Sequence, residues 1–164
     1  MKKMHSTKNS LSKETRTKVT ANLNQSLADL ADLYSQTKQA HWNVRGHHFY
    51  TLHKLFDDLA AAVEPHIDEI AERITALGGI AKGTVRLAAE NSRLPEFPIE
   101  KSSDMLYLAT LIERYALCAN ETRQAIDETD KLGDADSTDL LTAVSRDLDK
   151  SLWMLEAHEP KDSE

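Results

Sequence analysis

Residues 49–79, FYTLHKLFDDLAAAVEPHIDEIAERITALGG, decide the fold. Leu52, Leu55, Phe56, Leu59, Val63, Ile67, Ile70, Ile74 and Leu77 recur every three or four residues, the period of a helix that buries one face. The Gly78-Gly79 pair closes it, because glycine accepts the left-handed backbone that ends a helix. Three more stretches repeat the pattern. From about Lys18 to His41, a stripe of Val19, Leu23, Leu27, Leu30, Tyr34 and His41 predicts a first helix, broken by Asn43 to Gly46. Ser103-Asp104 caps another that runs to about Asp127, with Met105, Leu108, Ile112, Tyr115, Ala119 and Ile126 inward. The last starts near Ser137 and carries Leu141, Val144, Leu148, Leu152 and Leu155 to about Ala157. Nowhere do β-branched residues alternate over a strand length, so the fold class is all-α.

The connections set the topology. The first is short, so the first two helices are antiparallel neighbours. The second exceeds twenty residues. It holds a short helix near Val85 to Glu90 and an extended Pro95-Glu96-Phe97-Pro98 piece. That length returns the chain along a helix of about 45 Å. A four-helix bundle with one long crossover, here carrying a short helix between helices two and three, is the ferritin-like arrangement. The chain divides into a flexible basic arm over residues 1–17, the bundle over 18–157 and a short polar tail over 158–164.

Composition narrows the function classes. The 164 residues suit one domain, and 40% hydrophobic with 29% charged residues excludes wholesale disorder. One cysteine, Cys118, excludes a disulfide framework and a cysteine-rich metal cluster, which fits a reducing compartment. No run approaches the roughly 20 apolar residues of a membrane span. The opening MKKMHSTKNS lacks the apolar core of a secretory signal. The expectation is a cytoplasmic protein with no membrane partner. The net charge of −7 is unevenly spread. Residues 1–20 hold Lys2, Lys3, Lys8, Lys13, Arg16 and Lys18 against Glu14 alone, a net of +5, and the remainder carries −12. Such an arm can bind phosphate backbones by releasing counterions, or can be a solvated tail. Without helix-turn-helix or zinc-finger spacing, sequence-specific base reading is unsupported.

Helix two also carries His53, Asp57, Asp68 and Glu72. The members of each pair lie four apart and stack on one face. At about 100° per residue all four fall within a sector of roughly 100°, centred about 140° from the Leu52/Leu59/Ile70 stripe. They point away from the bundle core. The Glu-x-x-His pairs of an internal di-iron centre are absent. Within one chain the two pairs are separated by about 22 Å of helix, whereas metal–ligand bonds are about 2 Å. They meet if two copies of helix two cross antiparallel on a two-fold axis near Ala62/Val63, where Ala60-Ala61-Ala62 permits close approach. His41 ends helix one within reach of His53, and two imidazoles plus carboxylates suit Fe(II), Mn(II) or Zn(II). Read singly, each of these residues is also an ordinary solvated or core position.

These residues resemble a known family, the Dps proteins (DNA-binding proteins from starved cells), or mini-ferritins. The resemblance rests on Lys38-Gln39-Ala40-His41-Trp42-Asn43-Val44-Arg45-Gly46, then Phe49, His53 and Asp57, then Asp68-Glu69-Ile70-Ala71-Glu72-Arg73 before Leu77-Gly78-Gly79. Ser145-Arg146-Asp147-Leu148-Asp149-Lys150 and Trp153 extend it, over about residues 20–157. It implies a hollow homo-dodecamer built on two-fold dimers, with a di-iron ferroxidase site at each two-fold interface and no organic cofactor. His41, His53 and Asp57 from one subunit, with Asp68 and Glu72 from its mate, would bind and oxidise Fe(II) to Fe(III). Hydrogen peroxide would be favoured over dioxygen, and ferric mineral stored inside. Trp42 beside the site is expected to pack it. Pro65 departs from an ideal helix and His66 is read as structural. Glu64 or Asp58 would serve mineral nucleation.

Six acids, Asp127, Glu128, Asp130, Asp134, Asp136 and Asp139, fall within thirteen residues. In a shell they would line a three-fold opening and draw Fe²⁺ inward, Asp136 and Asp139 foremost. Many basic arms would tether DNA non-specifically through avidity and place the protein at the nucleoid. Two competing readings are a DNA-compacting structural protein with a vestigial or zinc-occupied metal site, and a monomeric helical adaptor. The intact donor set argues against the first and the outward ligand face against the second.

Overall fold

The computed structural model describes residues 4–100 and 103–159. It contains α1 (Lys13–Asn43), α2 (Phe49–Ala76), α3 (Val85–Asn91), α4 (Asp104–Lys131) and α5 (Ala135–Glu156), with no strand among the described residues. The fold is the expected ferritin-like bundle. α1 packs against α2 and α4, α5 closes the square against α4 and α2, and α3 lies across α1 in the crossover. The core is the expected stripes meeting. Val19, Leu23, Leu27, Leu52, Phe56, Ile70, Ile74, Leu108, Tyr115, Leu141, Val144 and Leu155 are all essentially sealed from solvent. Leu111 and Cys118 of α4 join them. Cys118 is a free thiol at 2% exposure, and burial pushes its ionisation well above the ordinary range.

The element ends differ from the sequence reading for local reasons. α1 begins at Lys13, five residues ahead of the expected start, because the Ser12 hydroxyl accepts from the Thr15 N–H at 3.0 Å. α5 begins at Ala135 because Asp134 caps it, accepting from Ser137 N–H. α4 runs on to Lys131. α2 ends as the glycine pair requires. Gly78 has φ +82°, and the Gly79 and Gly78 N–H groups return to the Ile74 and Thr75 carbonyls. Pro65 sits inside α2 without breaking it. Ala61 and Ala62 are exposed as a close helix crossing needs, but Ala60 faces inward at 1% exposure and belongs to the bundle's own core.

The early start of α1 corrects the reading of Arg16. Arg16 is not part of a free arm: it lies on α1, is 8% exposed and donates from Nη1 to the Leu77 carbonyl at 2.8 Å. It thereby satisfies an end-of-helix carbonyl on α2. The arm itself touches the body just beyond, where His5 N–H donates to the Gly78 carbonyl at 2.8 Å.

The crossover is pinned by polar contacts to α1. Arg93 binds the almost fully buried Asp29 carboxylate through Nε at 3.0 Å and Nη2 at 2.6 Å, and reaches Glu121 of α4 with Nη1. Ser92 donates to Asp32 at 2.6 Å, and Gln36 donates to the Pro95 carbonyl at 3.0 Å. Removing Arg93 would leave Asp29 charged and buried without its cation, which costs about 3 kcal/mol. Arg93→Met should therefore denature at clearly lower urea concentration. Arg93→Lys should recover only part, since lysine lacks the two-pronged fork. An unchanged midpoint for Arg93→Met would refute this account of the crossover.

Candidate metal centre

α1 ends and α2 begins beside each other, and this junction builds a histidine pair. The His41 and His53 rings stack with centroids 3.9 Å apart and an interplanar angle of 19°. His53 Nδ1 lies 2.9 Å from the His41 carbonyl, and His41 Nδ1 lies 2.7 Å from the His53 carbonyl. The His41 carbonyl is one of the last in α1, which no helical N–H reaches, so the ring of His53 fills that vacancy. A carbonyl only accepts, so both Nδ1 atoms carry the proton. In the neutral rings both Nε2 atoms then present lone pairs, the form in which imidazole binds metals. Phe49 also stacks on His53, with centroids 5.2 Å apart.

Asp57 completes the cluster one turn further along α2. Its Oδ1 is 3.9 Å from His41 Nε2. Lys38 of α1 donates to the same oxygen at 2.7 Å, and this bond holds the Asp57 carboxyl below the usual carboxylate range. Lys38 also lies over the exposed Trp42 ring, 5.9 Å from its centroid. The site thus contains two imidazole donors and one carboxylate, with an ammonium group holding the carboxylate. Lys38 is absent from the candidates that sequence spacing selects. Its signal was there: it lies three residues before His41, on the same side of α1.

Asp68 and Glu72 sit on α2 as exposed side chains, beyond reach of this cluster. Among the described residues of one chain, no three His, Cys, Asp or Glu side chains gather closely enough to enclose a metal ion. The five expected ligands therefore form two separated groups on one molecule. His66 is buried at 8% exposure, with Nδ1 3.2 Å from Glu69 and Nε2 2.8 Å from Asp147, and so bridges α2 to α5. Asp58 lines the groove beside it, and Glu64 is exposed.

The acidic run separates into unlike parts. Asp134 is 2% exposed and receives Arg73 Nη2 at 2.6 Å and the Ser137 hydroxyl at 2.6 Å. It is an internal anchor, not a lining residue. Asp136 is exposed and 3.5 Å from Arg73 Nη1, while Asp139 is exposed. Of the basic set, Lys8, Lys13 and Lys18 are exposed, with Lys18 paired to Glu14 at 2.8 Å. Lys2 and Lys3 lie outside the described residues.

Comparison with known proteins identifies the family of the chain. The ferritin-like domain family model matches residues 20–161. The DNA protection during starvation protein of Agrobacterium fabrum is 45% identical over 156 residues, covering 95% of this chain and 96% of that protein. Among solved structures, DpsC from Streptomyces coelicolor superposes with a TM-score of 0.92 at 32% identity, covering 98% of this chain and 94% of its own. Dps from Mycobacterium smegmatis superposes at 0.90 with 30% identity, over 100% and 98% of the two chains.

The Lys38–Asp57 pair competes with any cation that takes Asp57 as a ligand. Removing the ammonium removes a positive charge from the neighbourhood of the incoming ion, an effect of about one power of ten at such a distance. Lys38→Met should therefore tighten Co(II) binding about tenfold in a calorimetric titration. Weaker or equal binding would show that Lys38 supports the site instead of competing for it.

Proposed function

Since the chain belongs to the Dps family of ferritin-like proteins, we propose that it oxidises Fe(II) at sites shared between two subunits and stores the ferric product inside a dodecameric shell. The observation that carries this reading is the arrangement along α2. His41 from the end of α1 joins His53 and Asp57 at one end of α2, and Asp68 with Glu72 wait on the exposed face about 22 Å along. An antiparallel crossing of two α2 helices near Ala62/Val63 superposes each group on the other's complement. The exposed Ala61 and Ala62 keep the crossing free of bulk. Two equivalent sites result, each with His41, His53 and Asp57 from one subunit and Asp68 and Glu72 of the partner subunit.

The chemistry follows from the donor set. Neutral imidazoles and carboxylates hold Fe(II), and three anionic carboxylates favour Fe(III) once it forms. Iron is the substrate here. Each peroxide takes two electrons, one from each of two Fe(II) ions, and leaves as two waters after accepting two protons. Pairing the electrons in one site avoids the one-electron path that releases hydroxyl radical. Asp136 and Asp139 would draw Fe²⁺ toward an opening in the shell.

Mixed assemblies test the shared site. One chain carries His53→Ala, and the other carries Asp68→Ala with Glu72→Ala. Each is inactive alone. A mixed dimer regains one intact site, which combines the histidines of the second chain with the acids of the first. Random co-assembly of equal amounts should thus restore about a quarter of the peroxide-driven oxidation rate. No recovery in verified mixed particles would eliminate the two-subunit site.

DNA protection in this reading combines the removal of iron and peroxide with non-specific tethering by the arms. On this reading the arm would contact DNA through Lys2, Lys3 and Lys8, with Lys13 and Lys18 beside them at the start of α1, whereas Arg16 is committed to Leu77. Many weak contacts per particle multiply, and the binding is salt-sensitive. A chain starting at Ser10 should lose DNA retardation in a low-salt gel and keep its iron oxidation. Retardation equal to the full-length protein would assign DNA binding elsewhere.

A further inference from the structure

The turn between α1 and α2, residues 44–48, is the covalent link between the two histidines, and it is gripped from outside by one side chain. Asp104, the first residue of α4, is 8% exposed. Its N–H donates to the Arg45 carbonyl at 2.8 Å. Its Oδ2 accepts from the His48 backbone N–H at 3.0 Å and lies 3.1 Å from His48 Nδ1. Its Oδ1 accepts from Met105 N–H at 2.9 Å. Between Arg45 and His48 lies Gly46 at φ +146°, and any Cβ there would collide with this carboxylate.

α2 has no side-chain cap of its own and no acid in its first turn. Four N–H groups at a helix start need partners, and negative charge is favoured there. Asp104 supplies both to α2 while serving the start of α4. The donors, led by the His48 N–H, hold its carboxyl below the ordinary range, so it stays an anion. From this point the contacts run directly into the metal centre. His48 precedes Phe49, Phe49 stacks on His53, and His53 stacks on His41.

We propose that Asp104 is a positioning residue for the His41/His53 half-site: one carboxylate shared by the N-termini of α2 and α4 fixes the first turn of α2 and with it the spacing of the two Nε2 donors. Bonds of about 2 Å to a metal tolerate little error, so the spacing has to be set before the ion arrives. This role rests on the reading of the metal centre given above.

The test uses the full-length assembled protein and Co(II) alone as probe, because its visible spectrum reports ligand geometry. Asp104→Asn keeps the shape but removes the charge and turns one acceptor into an amide nitrogen. Ser103→Ala is the control for cap loss. It deletes a cap of α4, the Ser103 hydroxyl that accepts from Leu106 N–H at 3.5 Å, without touching His48. Asp104→Asn should weaken Co(II) binding about tenfold, as loss of a group that orients ligands does, and shift the cobalt bands. Ser103→Ala should leave both as in the unaltered protein.

Equal affinity and spectrum in Asp104→Asn, or the same loss in Ser103→Ala, would reduce Asp104 to a helix cap. His48→Ala removes only the ring contact. It should cost about threefold, and it decides the matter in the same way where Asp104→Asn fails to assemble. Co(II) binding that survives His53→Ala would refute the metal centre itself, and the positioning role would fall with it.

Discussion

α2 buries one face in the bundle and leaves four ligand-type side chains on the other, and this division governs everything else in the molecule. A helix that turned its carboxylates inward would need a metal, or protons, to make burial tolerable. Here the core stays apolar, with Phe56, Ile70 and Ile74 fully enclosed, and the bundle closes without an ion. The ligand-type side chains of one chain accordingly lie in two separated groups. Under the proposed function, folding would be complete within a subunit, while metal binding would wait for a neighbour.

How far the sequence anticipates this depends on the range of the interaction concerned. Helical stripes are read from neighbours three and four residues away, and the four long helices with their buried faces follow from that alone. The alternation of ligands on α2 is equally local. The start of α1 turns on one hydroxyl, Ser12, which looks no different from the other serines in the arm. Asp134 is harder still. In the sequence it is one acid among six. In the structure it is sealed by Arg73, sixty-one residues away, while Asp139 is left in solvent. Arg16 is the mirror image, since a basic run says nothing about which of its members has a carbonyl to bind. The expected ligand roles rest on the resemblance to Dps proteins, whereas the contacts that orient those side chains join residues far apart in the chain.

Charge in this protein is arranged so that few groups are left without a counterpart where water is scarce. Arg93 neutralises Asp29, Arg73 neutralises Asp134, and Lys38 neutralises Asp57. The first two pairs are fixtures of the fold. The third is different in kind, because Asp57 is partly open to solvent. Lys38 keeps the carboxylate ionised, and a cation taking Asp57 would have to displace its ammonium. A lone monovalent cation, with no imidazole contacts to gain, has little advantage over the ammonium already there.

The burial of Cys118 has a consequence for endurance. Thiols react with peroxide as thiolates, and this one is both screened from solvent and kept protonated by its surroundings. If the protein consumes peroxide as proposed, a reactive cysteine on its surface would be spent first. With its single sulfhydryl sealed inside α4, the chain offers no handle for sulfenic acid formation or for crosslinking between particles. Under the proposed function, turnover would then proceed without the protein consuming itself.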